Sequence, residues 1–224
     1  MKGVKRYVLI IGAAIVTVAL VKMFLLDSYS IKSEKMCNTL KAGDYVLVNK
    51  LKLKNNPGNN RLVLYKSPLR QDVEHPPLFL GRCLGMPGEH IRVGEDGFRV
   101  NGYLLNNASM IPSVMDEYGE GYEFIIPRKN GYIDINPVTL TICKDAILSE
   151  TGKTAMIKDD KLYINGKEKF FYFFHRNYYW VVSENEKDGI DSRHLGLIPE
   201  DYIVGNVWFC WFSRDSNRLF HKIK

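Results

Sequence analysis

Tyr7 to Val21 is a run of 15 residues without a charged side chain, and after Lys22 the apolar character resumes through Met23–Leu26. A helix of 20 residues is about 30 Å long, the thickness of a bilayer's hydrocarbon core. Lys22 falls near the far end, where its stem reaches the headgroups. The run is apolar on every side, which argues against a core helix, since such a helix keeps a polar face. A cleavable signal peptide also begins with a basic segment and an apolar stretch. No small-x-small cleavage site follows this one; Val18-Ala19-Leu20-Val21-Lys22 is a poor match. Residues 1–6 carry Lys2, Lys5 and Arg6. By the positive-inside rule they stay in the cytoplasm, and the chain from about Asp27 onward is exported. The expected organisation is therefore a basic tail (1–6), a transmembrane anchor (7–26) and one exported part (27–224).

Net charge needs the same division. The whole chain is +6, but residues 1–26 hold four bases and no acid, so the remainder carries 27 bases against 25 acids, or +2. No nucleic-acid footprint is left in the exported part. It reads as mainly β. Tyr45–Val48 and Arg61–Tyr65 are short apolar runs separated by the turn cluster Asn55–Asn60. Ile91–Val93 and Phe98–Val100 flank Gly94–Gly97 as a hairpin. Asn101-Gly102 and Asn165-Gly166 carry the chemistry of type I′ turns. The aromatic stretches Phe170–Val182 and Val207–Phe212 read as buried strands. Helix signals outside the anchor are few, and about 105–165, where the pattern is weaker, is expected to form an inserted second lobe.

Four cysteines (37, 83, 143, 210) and five histidines are scattered without metal-ligand spacing, so no metal site and no cofactor are expected. Cys210, inside an apolar strand, reads as a small core residue. No phosphate loop, nucleophile elbow or dinucleotide fingerprint is present.

Three ordered segments carry more information. Ile31-Lys32-Ser33-Glu34-Lys35-Met36-Cys37-Asn38-Thr39-Leu40 leads into Gly43-Asp44-Tyr45-Val46-Leu47-Val48-Asn49-Lys50. Later come Phe79-Leu80-Gly81-Arg82-Cys83-Leu84-Gly85-Met86-Pro87-Gly88-Glu89 and Asp191-Ser192-Arg193-His194-Leu195-Gly196-Leu197-Ile198-Pro199. Together they resemble the signature boxes of bacterial type I signal peptidases. Those boxes run Pro-Ser-x-Ser-Met-x-Pro-Thr-Leu-x-x-Gly-Asp-x-Val-x-Val-Asn-Lys, Tyr-Ile-Lys-Arg-x-x-Gly-x-Pro-Gly-Asp and Asp-Ser-Arg-x-x-Gly-x-Val-Pro. The resemblance implies a signal-peptidase-like β fold behind one membrane span. It also implies a serine endopeptidase that releases signal peptides with a Ser nucleophile and a Lys base, a second Ser orienting that Lys. The implied setting is the bacterial inner membrane, with the lipid bilayer, signal peptides of preproteins and an active signal peptidase paralogue as partners.

The relay positions depart from that pattern. The nucleophile falls on Lys35, the base on Gly81 and the base-orienting Ser on Gly189. The family's Gly-Asp-Asn, which opens the third box, reads Ser183-Glu184-Asn185. Asp191 and Arg193, paired in the family as a structural salt bridge, are kept. A hydroxyl is a poor nucleophile until a base takes its proton, and a Lys serves as that base only when burial lowers its pKa. The expected reading is a peptidase-family protein without activity, keeping a groove near Met36 and Met86 that holds signal peptides. The alternative is an active enzyme rebuilt on Ser33 and Lys35, two residues apart and on one face of an extended segment. In the family the hydroxyl at 33 lines the oxyanion hole, so Ser33 is also a substrate-binding candidate. Cys37 and Cys83 each lie two residues beyond relay positions that meet in the active family, which makes a bridge between them conceivable.

Overall fold

The computed structural model describes residues 2–24, 26–32, 39–50, 57–68, 76–94, 97–105, 121–185 and 189–223. It opens with helix α1 (Lys2–Phe24), 23 residues long, whose side chains are described for residues 6–18. Strand β1 spans Leu26–Ser30, so Leu26, the last residue of the expected span, is in a strand. Among the described residues no helix is long and apolar enough to cross a membrane.

The main sheet has the order β1-β2-β16-β3-β4-β14-β15, with β17 also paired to β16. Its central members are β2 (Tyr45–Asn49), β16 (Ile203–Phe212), β3 (Arg61–Lys66), β4 (Leu78–Gly85) and β14 (Tyr178–Val182); β15 (Ile198–Pro199) and β17 (His221–Lys222) are short. The pattern of β3 explains why it lies inside the sheet. Its residues 62–65 are buried in succession; Leu62 and Leu64 pack into one apolar cluster with Val46, Val48 and Cys210, Val63 and Tyr65 into another with Cys83 and Val181. Alternate side chains point to opposite faces, so a run apolar at every position fits a strand covered on both.

A second sheet has the order β7-β6-β5-β8, from β5 (His90–Gly94), β6 (Gly97–Val100), β7 (Tyr103–Leu105) and β8 (Tyr122–Ile125). The hairpin read at 91–100 is thus present, and Asn101 and Asn165 take the positive φ (50° and 53°) that their turns require. Strands β10 (Ala155–Lys158), β11 (Lys161–Ile164) and β12 (Lys167–Lys169) form a meander, and β9 (Tyr132–Asp134) pairs with β13 (Phe171–Phe173).

Two expectations need correction. The region read as poor in helix signals contains α2 (Pro137–Thr151), 15 residues. The start is written in Asn136-Pro137-x-Thr139: the Asn136 side chain accepts from Thr139 N at 2.9 Å, and Thr139 Oγ1 accepts from Asn136 N at 3.0 Å. This is a capping box with Pro at the first helical position. Leu140, Cys143 and Ile147 then turn toward the core at the spacing of one helix face. The aromatic stretches are also only half buried. All of β14 is buried, but in β13 Tyr172 points inward while Phe171 and Phe173 are about half exposed beside Tyr132. In β16, Val207 and Cys210 are buried and Trp208 is 52% exposed. In β13 and β16 only one face meets the core, whereas both faces of β14 do, so aromatic content did not report burial.

Candidate active-site region

Of the relay positions, Gly81 and Gly189 are described: one lies in β4 and the other in the loop after β14. Gly81 lies in β4, buried, with Val63 of β3 as its partner on one side. On the other side β14 pairs with β4 as Val181↔Cys83 and Val182↔Arg82. Ser183 is the first residue after β14. Gly189 is buried at the far end of the loop that leaves β14.

Neither glycine has room for a side chain. A Cβ at 81 would lie 2.7 Å from Val181 Cγ1 and 2.9 Å from the Val182 carbonyl oxygen. A Cβ at 189 would lie 2.2 Å from Ser183 Oγ and 2.4 Å from the Asn185 carbonyl oxygen. Contacts this short do not occur between real atoms in a close-packed interior, so the neighbours occupy the volume that the missing side chains would need.

The residues around these two positions are firmly held. Asp191, fully buried, caps the short helix α3 (Ser192–Leu195) by accepting from Arg193 N at 2.9 Å. Its carboxylate also takes Arg193 Nη2 at 2.7 Å and Nε at 3.0 Å, a bidentate pair. Ser183 N donates to Asp191 Oδ2 at 2.7 Å, Val181 N to Ser192 Oγ at 2.9 Å, and Tyr65 Oη to the Ile190 carbonyl at 2.9 Å. Both ends of the loop are thereby clamped to β14 and β3. The expected partners Asp191 and Arg193 are brought together, and their pair fixes the backbone of residue 183.

A second brace was not read from the sequence. The Glu184 carboxylate accepts from Thr39 N at 2.9 Å and from Thr39 Oγ1 at 2.7 Å. It also takes Arg82 Nε at 2.7 Å and Nη2 at 2.6 Å, and Arg82 donates from Nη1 to the Asn60 carbonyl at 2.9 Å. The stretch entering β2 is thus tied to the strand that bears Gly81. The signal was the acid of Ser183-Glu184-Asn185, standing where the family carries Asp. Sequence alone did not give it Thr39 as a partner.

Of the other candidates, Ser33, Lys35, Met36 and Cys37 lie outside the described residues. Met86 is buried with Cys83, Tyr179 and Leu195, its sulfur 3.6 Å from Cys83 Sγ. Cys83 is a free thiol, so the bridge to Cys37 is not formed; burial pushes its pKa far above the ordinary range, which makes it inert. Cys210 is buried, as read.

The family profile described as signal peptidase, peptidase S26, matches residues 4–212. A signal peptidase I of Buchnera aphidicola subsp. Baizongia pistaciae is 25% identical over 88% of this chain and 73% of its own. A signal peptidase IB of Staphylococcus aureus strain COL is 27% identical over 93% of this chain and 89% of its own. A solved signal peptidase I from Enterococcus faecalis V583 aligns with 68% of this chain and 97% of its own at 14% identity and a TM-score of 0.35. The chain belongs to the signal peptidase family of S26 peptidases.

Proposed function

We propose that this chain is a membrane-anchored signal peptidase family member that has lost peptidase chemistry and acts as a binding or scaffolding partner in protein export. One observation carries the reading. The nucleophile, base and base-orienting positions are Lys35, Gly81 and Gly189, and at the two glycines neighbouring atoms fill the space a side chain would take. Loss of a nucleophile or its base costs several orders of magnitude in rate, and a Gly supplies neither.

The N-terminal helix supports the anchor. It is 23 residues, about 34 Å, and carries the uncharged run Tyr7–Val21, although its described residues alone do not make up a span. Its apolar side chains from Tyr7 to Val18 are exposed, with no protein surface over them. With Lys2, Lys5 and Arg6 in the cytoplasm, the β-rich part lies on the exported side of a bacterial inner membrane. Its partners there are the lipid bilayer, signal peptides of preproteins and an active paralogue.

The test is a cleavage assay on the full chain in detergent, with a preprotein bearing an Ala-x-Ala site and an active signal peptidase as control. The expected result is no product above buffer from the folded protein, with retention of a labelled signal peptide by the immobilised chain. Cleavage by the wild type that disappears in both Ser33→Ala and Lys35→Ala would overturn the reading and install the Ser33/Lys35 dyad.

A further inference from the structure

We infer that the outer face of the β9–β13 pair binds a small quaternary ammonium ion, held by the rings of Tyr132, Phe171 and Phe173 and the carboxylate of Asp134. The strand register builds the site. Tyr132 stands opposite Phe173, and Asp134 opposite Phe171. Alternate side chains of a strand share a face, so these four lie together while Ile133 and Tyr172 turn to the core. The ring centroids are 5.6 Å apart for Phe171–Phe173 and for Tyr132–Phe173, and 6.2 Å for Tyr132–Phe171. Their planes cross at 87°, 57° and 72° in the same order. Rings at such angles stand as walls rather than as a stack, and each leaves half or more of its surface in solvent.

Charge selects the occupant. The face of an aromatic ring is its negative part and attracts a cation. The single formal charge on the outer face of these two strands is Asp134, which is also negative. Among the described residues, the cation set over an aromatic ring is Arg176 on Tyr178, so none of this chain's described cations takes up these three rings. A protein partner with an apolar surface fits less well. Each strand has three residues, far short of the roughly 800 Å² a side that a stable interface buries. Such a partner would also strip water from Asp134 without supplying a counter-charge. Among cations, a primary ammonium is strongly hydrated and gives up its water reluctantly. A quaternary ammonium donates no hydrogen bond, so its methyl groups lie on the rings while its charge faces Asp134. The inference goes beyond the export role proposed above and does not depend on it.

The test titrates the full chain, in a maltoside detergent, with tetramethylammonium chloride at constant ionic strength. Binding is followed by saturation transfer to the probe's methyl protons. Choline and dimethylbutanol, its uncharged isostere with carbon in place of nitrogen, are titrated in parallel. Saturable binding of both cations is expected at about 1–10 mM. The isostere is expected to bind about fivefold more weakly than choline. The Phe171→Leu/Phe173→Leu variant keeps apolar side chains but loses two rings, and should weaken the cations by about fivefold. Asp134→Asn should weaken them by about threefold and leave the isostere unchanged. Circular dichroism checks that both variants unfold at the wild-type Tm, and the isostere comparison on the wild type stands whether or not they do. Absence of saturation by either cation, an isostere that binds as tightly as choline, or folded variants that bind the cations as tightly as the wild type would each overturn the inference.

Discussion

The relay positions and the braces around them have gone opposite ways. Where an active family member needs reactive side chains, this chain has two glycines, closed over by Val181, Val182 and Ser183. A few ångströms away, Asp191–Arg193 and Glu184–Arg82–Thr39 keep charge-assisted hydrogen bonds, with heavy-atom distances from 2.6 Å. The contrast separates two demands. Catalytic groups act as a unit, so once one is lost the others are released from constraint. A buried carboxylate with several donors is different, since removing either partner strands a charge.

The largest expected effect comes from breaking the retained side. Asp191→Ala leaves Arg193, Ser183 N and Arg193 N without their acceptor, at a cost of about 3–5 kcal/mol. Thermal unfolding followed by circular dichroism should show Tm falling by roughly 10 °C. Glu184→Ala removes a brace that is less buried and should cost about 1.5–3 kcal/mol. Hydrogen exchange at the Thr39 amide should accelerate while the Asp191 region stays protected. Equal exchange in both regions would mean that the two braces form one unit.

On the lost side, Gly81→Ala pushes a methyl against Val181 and Val182 and should cost about 1–3 kcal/mol by overpacking. An unchanged Tm would mean that the space is open after all. A carboxylate remote from the relay extends the comparison to pH. Burial works against ionisation of Glu150, but bonds from His175, Tyr178 and Tyr172 outweigh it and hold the carboxyl below its ordinary value of 4.5. Its contribution to stability is therefore complete above about pH 4.5 and is lost as pH falls through the lower native value. Glu150→Gln should flatten the acid side of the stability curve and change little near neutrality. The smallest effect is expected at Lys35, where Lys35→Ala should leave Tm unchanged and, on the proposed inactive reading, yield no cleavage product.

Much of this was legible in the residues. The type I′ turns at Asn101-Gly102 and Asn165-Gly166, the strands around Val46 and Leu62, and the departures at 35, 81 and 189 depend on local chemistry or on position within a box. Helix α2 was legible too, in the cap at Asn136, although apolar periodicity there is weak. The exposure of Phe171, Phe173 and Trp208 was not, because a hydrophobic side chain reports its preference and not which face of its strand meets the core.

The sequence by itself determined the family, the residues at 35, 81 and 189 and the uncharged N-terminal run, all of which are matters of residue identity and order. Only the tertiary structure decided that Ser183 fills the space at Gly189 and that Glu184 reaches Thr39. Those contacts join positions 6 and 145 residues apart, one across a loop and one between distant segments, so neither lies within a single helix or strand whose period could reveal it.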